Sequence, residues 1–435
     1  MVVIIGAGIT GLCLAWRLQQ AGREFRLIEA NSTVGGAIQT RQLHDSLIEL
    51  GPNSLQLKPE LQELLQSLGL TSQIVYPQPT VKNRFLLKHG KLHKLPLTPL
   101  QFLFSGFFSF KAKLQLFREM TIPTGRDYYE TVDSFFRRRF GDELTDYAVY
   151  PFVSGIYAGD PKRMLMALTF PALRQLEQEF GSVLKGMRKK KSGGIIPIVS
   201  LQNGLGQLTQ ALYEKIQSNV ILHSSVRRLT KQENQWKVQT TTGETLEAET
   251  VVGCLPAHAF GNLLEQEHPS AMETFSMVHY PPVTVVHSWL PRESVTHDLN
   301  GFGALNNALE SFNTLGTIFS SSLFPARCPQ NQVLLTTFVG GGMFPQKAGL
   351  PDAVLTSQVC ADLKNLFGLS SDPVHQQITR WQKGIPSMDG NLVRAREILP
   401  FLESRKLFAG GNWVDGVSVP DCINTANALA KKILG

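Results

Sequence analysis

Cysteine is scarce in this chain of 435 residues, and Cys13, Cys254, Cys328, Cys360 and Cys422 stand far apart. That spacing offers no CxxC, no metal-ligand run and no disulfide framework. It reads as five reduced thiols in a cytosolic compartment, with no metal. The stretch LPLTPLQFLFSGFFSF at 95–110 is uncharged and holds five Phe, but it has only sixteen residues and two prolines. A spanning helix needs about 20 apolar residues and tolerates few breaks. Repeats and low-complexity tracts are missing. So are GxSxG, HExxH, a P-loop and a convincing Cys/His pair, which removes the common hydrolase chemistries. His258 in LPAHAF is a conceivable base, but a structural role suits it better. The first strand-like run begins at Val2; the expectation is that no signal or transit peptide precedes it and that the protein is bacterial.

The charge balance leans basic, 42 Lys and Arg against 35 Asp and Glu for a net +7. Nucleic acid, anionic lipid and acidic ligands are the partners such a balance suits. The excess clusters at Arg137, Arg138 and Arg139 and at Arg188, Lys189, Lys190 and Lys191. No nucleic-acid module accompanies either cluster, so nucleic acid is the weakest of the three.

What is present begins with VVIIGAGITG at 2–11, an apolar strand running into a Gly-rich turn and a helix start. Gly6 suits the tight turn, Gly8 lets backbone approach a pyrophosphate, and Gly11 lets helix and strand pack closely. Ala7, Ile9 and Thr10 complete the turn, and the helix they open aims its N–H groups and positive end at phosphates. Eighteen residues past Gly11, in RLIEA, Glu29 can accept hydrogen bonds from a ribose 2′-hydroxyl, with Ala30 beside it. A carboxylate there disfavours NADP. A second Gly pair, Gly35 and Gly36, follows in NSTVGGAIQT. It resembles the GG motif of FAD enzymes of the glutathione-reductase and amine-oxidase type, so FAD is the reading and NAD the alternative.

Length predicts two or three domains. Strands near 39–43 and 47–50 precede GPNS at 51–54, and a helix over 59–68 starts on Pro59. RFLLKHGKLHKLP reads as a hairpin turning at His89-Gly90. Residues 95–194 are Phe-rich, then helical and basic. A buried hairpin with a solvated basic face and an interfacial insertion, with Phe in the acyl boundary, compete evenly there. A helix over 201–216 and strands at 225–231, 236–240 and 245–248 follow. Val251-Val252-Gly253 reads as a return strand of the first domain, and Leu407-Phe408 leads into a last Gly-rich loop and helix. The expected class is α/β. A Rossmann-like FAD domain is assembled from 1–80, 195–262 and 392–435, an α+β substrate domain from 81–94 and 263–391, and a helical insertion spans 95–194.

The chain resembles the oxygen-dependent, FAD-containing protoporphyrinogen oxidases from end to end. The resemblance rests on GAGITG at 6–11, ELGPNS at 49–54, VSGIYAGDP at 153–161, GTIFSS at 316–321 and GVSVPDCI at 416–423. It implies oxidation of protoporphyrinogen IX to protoporphyrin IX by hydride transfers to FAD, with O2 as acceptor and hydrogen peroxide as product, in haem or chlorophyll synthesis. It also implies a monotopic or peripheral place on a membrane, here the cytoplasmic face of a bacterial cell membrane, and shifts 95–194 towards the interfacial reading. A homodimer and a downstream chelatase are further candidate partners. For FAD it marks Gly36, Ala37, Gly51, Pro52, Asn53 and Ser54 along the flavin and Val226 at the adenine. Val417, Ser418 and Val419 would offer backbone N–H groups to the isoalloxazine. For substrate it marks Arg84 on a propionate, where a guanidinium suits a carboxylate, and Gly155, whose bare Cα leaves room for a pyrrole. Leu305 and Phe319 would be apolar walls, a plain sheet core being the equal alternative for both. Side chains need do little chemistry beyond positioning and water exclusion. IPSMDGN departs from the family's IPQY and GH pattern at Met388 and Asn391, which leaves substrate preference open. Coproporphyrinogen III oxidation and another flavin amine oxidase activity are the alternatives.

Overall fold

The structure, a computed structural model, describes residues 1–96, 98–190, 194 and 196–435. Of the positions covered above, Leu97 within the Phe-rich run, Lys191 and the boundary at residue 195 lie outside the described residues. Two compact units emerge, one from residues 1–76, 196–279 and 391–435, the other from 77–195 and 280–390.

The first unit is built on a five-stranded parallel sheet. Val2–Ile5 lies at its centre, between Phe25–Ile28 and Thr250–Gly253, with Val220–Ile221 and Leu407–Ala409 at the edges. Every residue of Val2–Ile5 and of Thr250–Gly253 is buried, as parallel strands covered on both faces require. Helices Ile9–Gln20, Gly206–Ile216 and Val419–Leu434 bury Leu12, Leu208 and Ile423 in one core with Val2 and Ile4. The middle helix starts later than the apolar pattern suggests, because Ile198–Leu201 is a strand pairing with Leu55–Gln56 and Ile74–Val75. The helix start is marked by Glu49, whose buried carboxylate accepts the Leu205 N–H at 2.8 Å. The stretch 263–279, grouped from sequence with the substrate part, falls in this unit. Helix Pro269–Ser276 is held there by Phe275, which packs edge-on against Phe260 and Trp413, with centroids 5.4 Å from each.

A seven-stranded mixed sheet organises the second unit, in the order His375–Trp381, Val283–Pro291, Gln332–Gly340, Gly316–Ile318, Gly301–Leu305, Asn83–Lys88, Lys91–Lys94. All pairs are antiparallel except Gly301–Leu305 with Asn83–Lys88. The hairpin turns at His89-Gly90, both with positive φ. Phe85, Leu87 and Ala304 pack on one side with Leu355, Val359 and Leu363 of helix Asp352–Phe367. Leu86 belongs to a separate cluster with Phe107, Phe108 and Ala112, against which Leu305 packs. Strand alternation explains the division.

The segment expected as a helical insertion is helical, from Pro99–Phe104 to Val183–Lys189, and falls within this unit. No helix among the described residues is long and apolar enough to cross a membrane. Arg137, Arg138 and Arg139 are not a basic surface patch. Arg139 is fully buried between Glu119 (3.0 Å) and Glu177 (2.6 Å), Arg138 pairs with Glu130 and Glu177, and Arg137 with Asp133, Asp142 and Asp146. Burial works against ionisation of Glu177, but the Gly125 N–H, Arg139 and Arg138 outweigh it and hold its carboxyl below the usual range. A buried charge persists only when so partnered. Arg188, Lys189 and Lys190 are exposed.

Candidate active site

The nucleotide turn has the geometry its glycines imply. A Cβ on Gly11 would stand 2.0 Å from the Gly6 carbonyl oxygen, so helix and strand approach as only glycine permits. At Gly8 the backbone is ordinary (φ −72°, ψ 178°) and a Cβ would meet no protein atom within 4 Å. Nothing in the protein requires glycine there, and the open space beside its Cα would admit a pyrophosphate. The helix that follows has Gly8 as its N-cap and no side-chain capping bond, which leaves its positive end for an anion.

Glu29 is buried and anchored from both sides. Its Oε2 accepts the Ala7 N–H at 2.7 Å, and its Oε1 accepts the Asn31 N–H (2.9 Å) and Nδ2 (2.7 Å). Oε2 retains a further lone pair for a ribose hydroxyl, whereas both lone pairs of Oε1 are taken by Asn31. Asn31 was not singled out from sequence; an amide two residues past the acid is the signal that could have found it. The chain from Val220–Ile221 runs back along this acid, the Ser224 N–H donating to the Glu29 carbonyl at 2.9 Å, and brings Val226 to the same end of the sheet. Gly35 donates to the Ala7 carbonyl at 2.8 Å, which sets Gly36 and Ala37, both exposed, beside the turn. Gly51 packs on the Ala37 carbonyl, and Pro52, Asn53 and Ser54 remain partly accessible. Ala30 is exposed next to Glu29. A dinucleotide fits this donor and acceptor set.

Val417, Ser418 and Val419 open the last helix, but their three N–H groups are not equivalent. Ser418 is the N-cap of a capping box: its N–H donates to Asp421 Oδ2 at 3.1 Å, and its hydroxyl accepts the Asp421 N–H at 3.2 Å. Lys58 pairs with the other Asp421 oxygen at 2.9 Å. Burial opposes ionisation of Asp421, yet Ser418 and Lys58 hold its carboxyl below the usual range. The Ser418 N–H therefore serves the cap rather than a ligand.

Three of the four substrate candidates share one face of the second unit's sheet. Arg84 alternates with Phe85, hence lies with Leu86 and Leu305. It is exposed, has no carboxylate partner among the described residues, and has its Cζ 5.7 Å from the Phe302 ring centroid. Gly155, in helix Tyr150–Tyr157, faces Leu305: a Cβ there would fall 2.4 Å from Leu305 Cδ2. The space beside Gly155 is thus already shared with that leucine. Phe319 is a correction. It is fully buried on the opposite side, edge-on to Phe367 at 5.2 Å and packed with Phe85 and His297, so it is core and walls no cleft. Met388 is buried, its carbonyl accepting the Leu165 N–H at 2.7 Å.

The other reactive groups stand apart from both sites' chemistry. Burial pushes the Cys254 and Cys422 thiols up to about 12, so neither is a thiolate at neutral pH. His258 sits in helix Ala257–Asn262 of the first unit. Among the described residues no group of His, Cys, Asp and Glu could hold a metal ion.

Residues 9–434 match the family model described as flavin containing amine oxidoreductase. The chain is 32% identical to protoporphyrinogen oxidase 1, chloroplastic, of Arabidopsis thaliana, over 99% of this chain and 87% of that protein. It is 28% identical to the coproporphyrinogen III oxidase of Bacillus subtilis, over 100% and 97%. A crystal structure from Exiguobacterium sp., provisionally named a protoporphyrinogen oxidase, superposes with a TM-score of 0.84 at 24% identity, over 99% and 98%. The chain belongs to the flavin containing amine oxidoreductases, and its flavin is FAD.

Proposed function

We propose that this protein oxidises a porphyrinogen to its porphyrin in haem or chlorophyll synthesis, and that the substrate is protoporphyrinogen IX. Arg84 carries the reading. It is an exposed guanidinium without a carboxylate partner among the described residues, on the sheet face that also bears Leu86 and Leu305. A cation beside an apolar face suits a flat, hydrophobic ring with a carboxylate arm. Bound FAD supplies the hydride acceptor and passes electrons on to dioxygen, giving hydrogen peroxide. The chain's own part is to bind and orient: Arg84 holds a propionate by its N–H fork, and the leucines exclude water from the ring.

Coproporphyrinogen III, with two more carboxylates, is the second reading, favoured by the Bacillus relative's name. The cation budget of this face weighs against it. Lys88, four residues along the same strand, is committed to Glu143 at 2.7 Å.

The Phe-rich, lysine-flanked segment 99–118 supports a place on a membrane surface, read as the cytoplasmic face of a bacterial cell membrane. Leu100, Phe104, Phe110 and Phe117 are more than half exposed, with Lys111 and Lys113 among them. Such a rim suits the interfacial zone of an anionic leaflet.

The deciding assay gives purified protein anaerobically prepared proto- and coproporphyrinogen, then admits oxygen and follows porphyrin fluorescence. A protein-dependent rise above autoxidation, larger with protoporphyrinogen, is the expected result. No rise with either substrate would remove the proposal.

A further inference from the structure

We infer that Phe302 is the positioning residue for Arg84: its ring holds the guanidinium in place so that the N–H fork stays turned to a carboxylate of the substrate. This rests on the reading of Arg84 as the carboxylate-binding cation.

The local pairing shows how Phe302 comes to stand there. Strand Gly301–Leu305 runs parallel to Asn83–Lys88, with Gly301 opposite Asn83 but Ala304 opposite Phe85. Three steps on one strand match two on the other, which is a one-residue bulge. Without it, residues 302 and 305 would point to opposite faces. With it, Leu305 and Phe302 both reach the Arg84 side, while Ala304 joins the Phe85 core.

Two glycines make the bulge feasible. A Cβ on Gly301 would lie 2.6 Å from the Phe85 ring and 2.9 Å from the Asn83 carbonyl oxygen; one on Gly303 would lie 2.3 Å from the Thr317 carbonyl oxygen. Backbone thus closes tightly on both sides of Phe302, whose own carbonyl is fixed by the Phe319 N–H at 3.0 Å. The one large side chain of GFGAL that faces Arg84 at cation–π distance is therefore set on a rigid base.

The physical reason for such a device is entropy. An arginine with no carboxylate partner samples many rotamers and must give them up when substrate binds. A ring under the guanidinium removes part of that freedom beforehand and leaves the in-plane donors for the bidentate contact. The effect belongs to substrate affinity rather than to the chemical step.

The test uses the flavin-loaded enzyme and anaerobically prepared protoporphyrinogen IX, with R84A, F302A, F302L, F302Y and the R84A/F302A double variant. F302A and F302L are expected to raise KM about 5- to 10-fold, within the range of a partly desolvated cation–π contact, with kcat within about twofold. F302Y, which keeps the ring face, restores KM. The double variant is no worse than R84A alone, since Phe302 acts through Arg84. Flavin absorbance confirms that each variant is loaded; if F302A fails to load, F302L and F302Y decide. A wild-type KM in F302L, or additivity in the double variant, overturns the inference while leaving Arg84 in place. A wild-type KM in R84A instead overturns the assignment of Arg84 itself.

Discussion

Gly8 and Gly11 lie three positions apart and make opposite demands. The carbonyl of Gly6 excludes any side chain at Gly11, whereas the protein leaves space around Gly8. Gly11→Ala is expected to destabilise the fold by about 1–3 kcal/mol, the ordinary cost of overpacking. Gly8→Ala should change the stability of the flavin-free protein by no more than about 0.5 kcal/mol and yet abolish retention of FAD. Thermal unfolding and the flavin absorbance surviving gel filtration separate the two. A Gly8→Ala protein that stays fully yellow would refute the assigned role. Glycine roles of this kind are legible in sequence because each depends on neighbours a few residues away. Phe319 was not, since nothing in GTIFSS says which face of a sheet its ring takes. Nor was Phe302, whose direction depends on a bulge against a strand more than two hundred residues earlier.

At the scale of elements, the last helix is the clearest case. The string SVPD announces a capped start with Pro inside the first turn. The Lys58 contact to Asp421 could not be read, because it joins positions 363 residues apart. Asp421 has a depressed pKa in the folded protein. Its contribution is therefore complete above the unfolded value of about 3.9 and is lost as pH falls through the lower, folded value. Asp421→Asn is expected to lower stability at pH 7 by about 1 kcal/mol, the size of a lost cap. That deficit should shrink on acidification below about pH 4. Unfolding midpoints of both proteins between pH 7 and pH 3 measure it; a constant deficit would exclude the capping account. The helical run around Arg137–Arg139 taught the opposite lesson. Three consecutive arginines look like a solvated face, but their acids come from positions 119, 130, 133, 142, 146 and 177.

For the whole molecule, the formal charge of +7 remains, but those arginines do not present it. Attraction to an anionic surface would have to come from other cations, Lys111 and Lys113 among them, together with the apolar rim. Phe104 and Phe110 are 84% and 81% exposed. The protein is expected to sediment with phosphatidylglycerol vesicles at low salt, and replacing both phenylalanines by serine should weaken that binding at least about tenfold, given roughly 1.5–3 kcal/mol per buried Phe. Protein that stays in the supernatant would remove the membrane proposal. The assembly of the first unit from three stretches was readable, because the return strand and the last Gly-rich loop each carry a local signature. Where the second stretch ends was not, because aromatic packing of Phe275 on Trp413 decides it.

That assembly has a consequence during synthesis. Val2–Ile5 is synthesised well before its neighbour Thr250–Gly253 and the outer strand Leu407–Ala409, which follow hundreds of residues later. Until then one backbone edge of an apolar strand lacks its native mate, an aggregation hazard that holding factors would have to cover. The five-stranded sheet is complete only once Leu407–Ala409 has been made, so a coenzyme that requires the finished sheet would load late in the life of each copy.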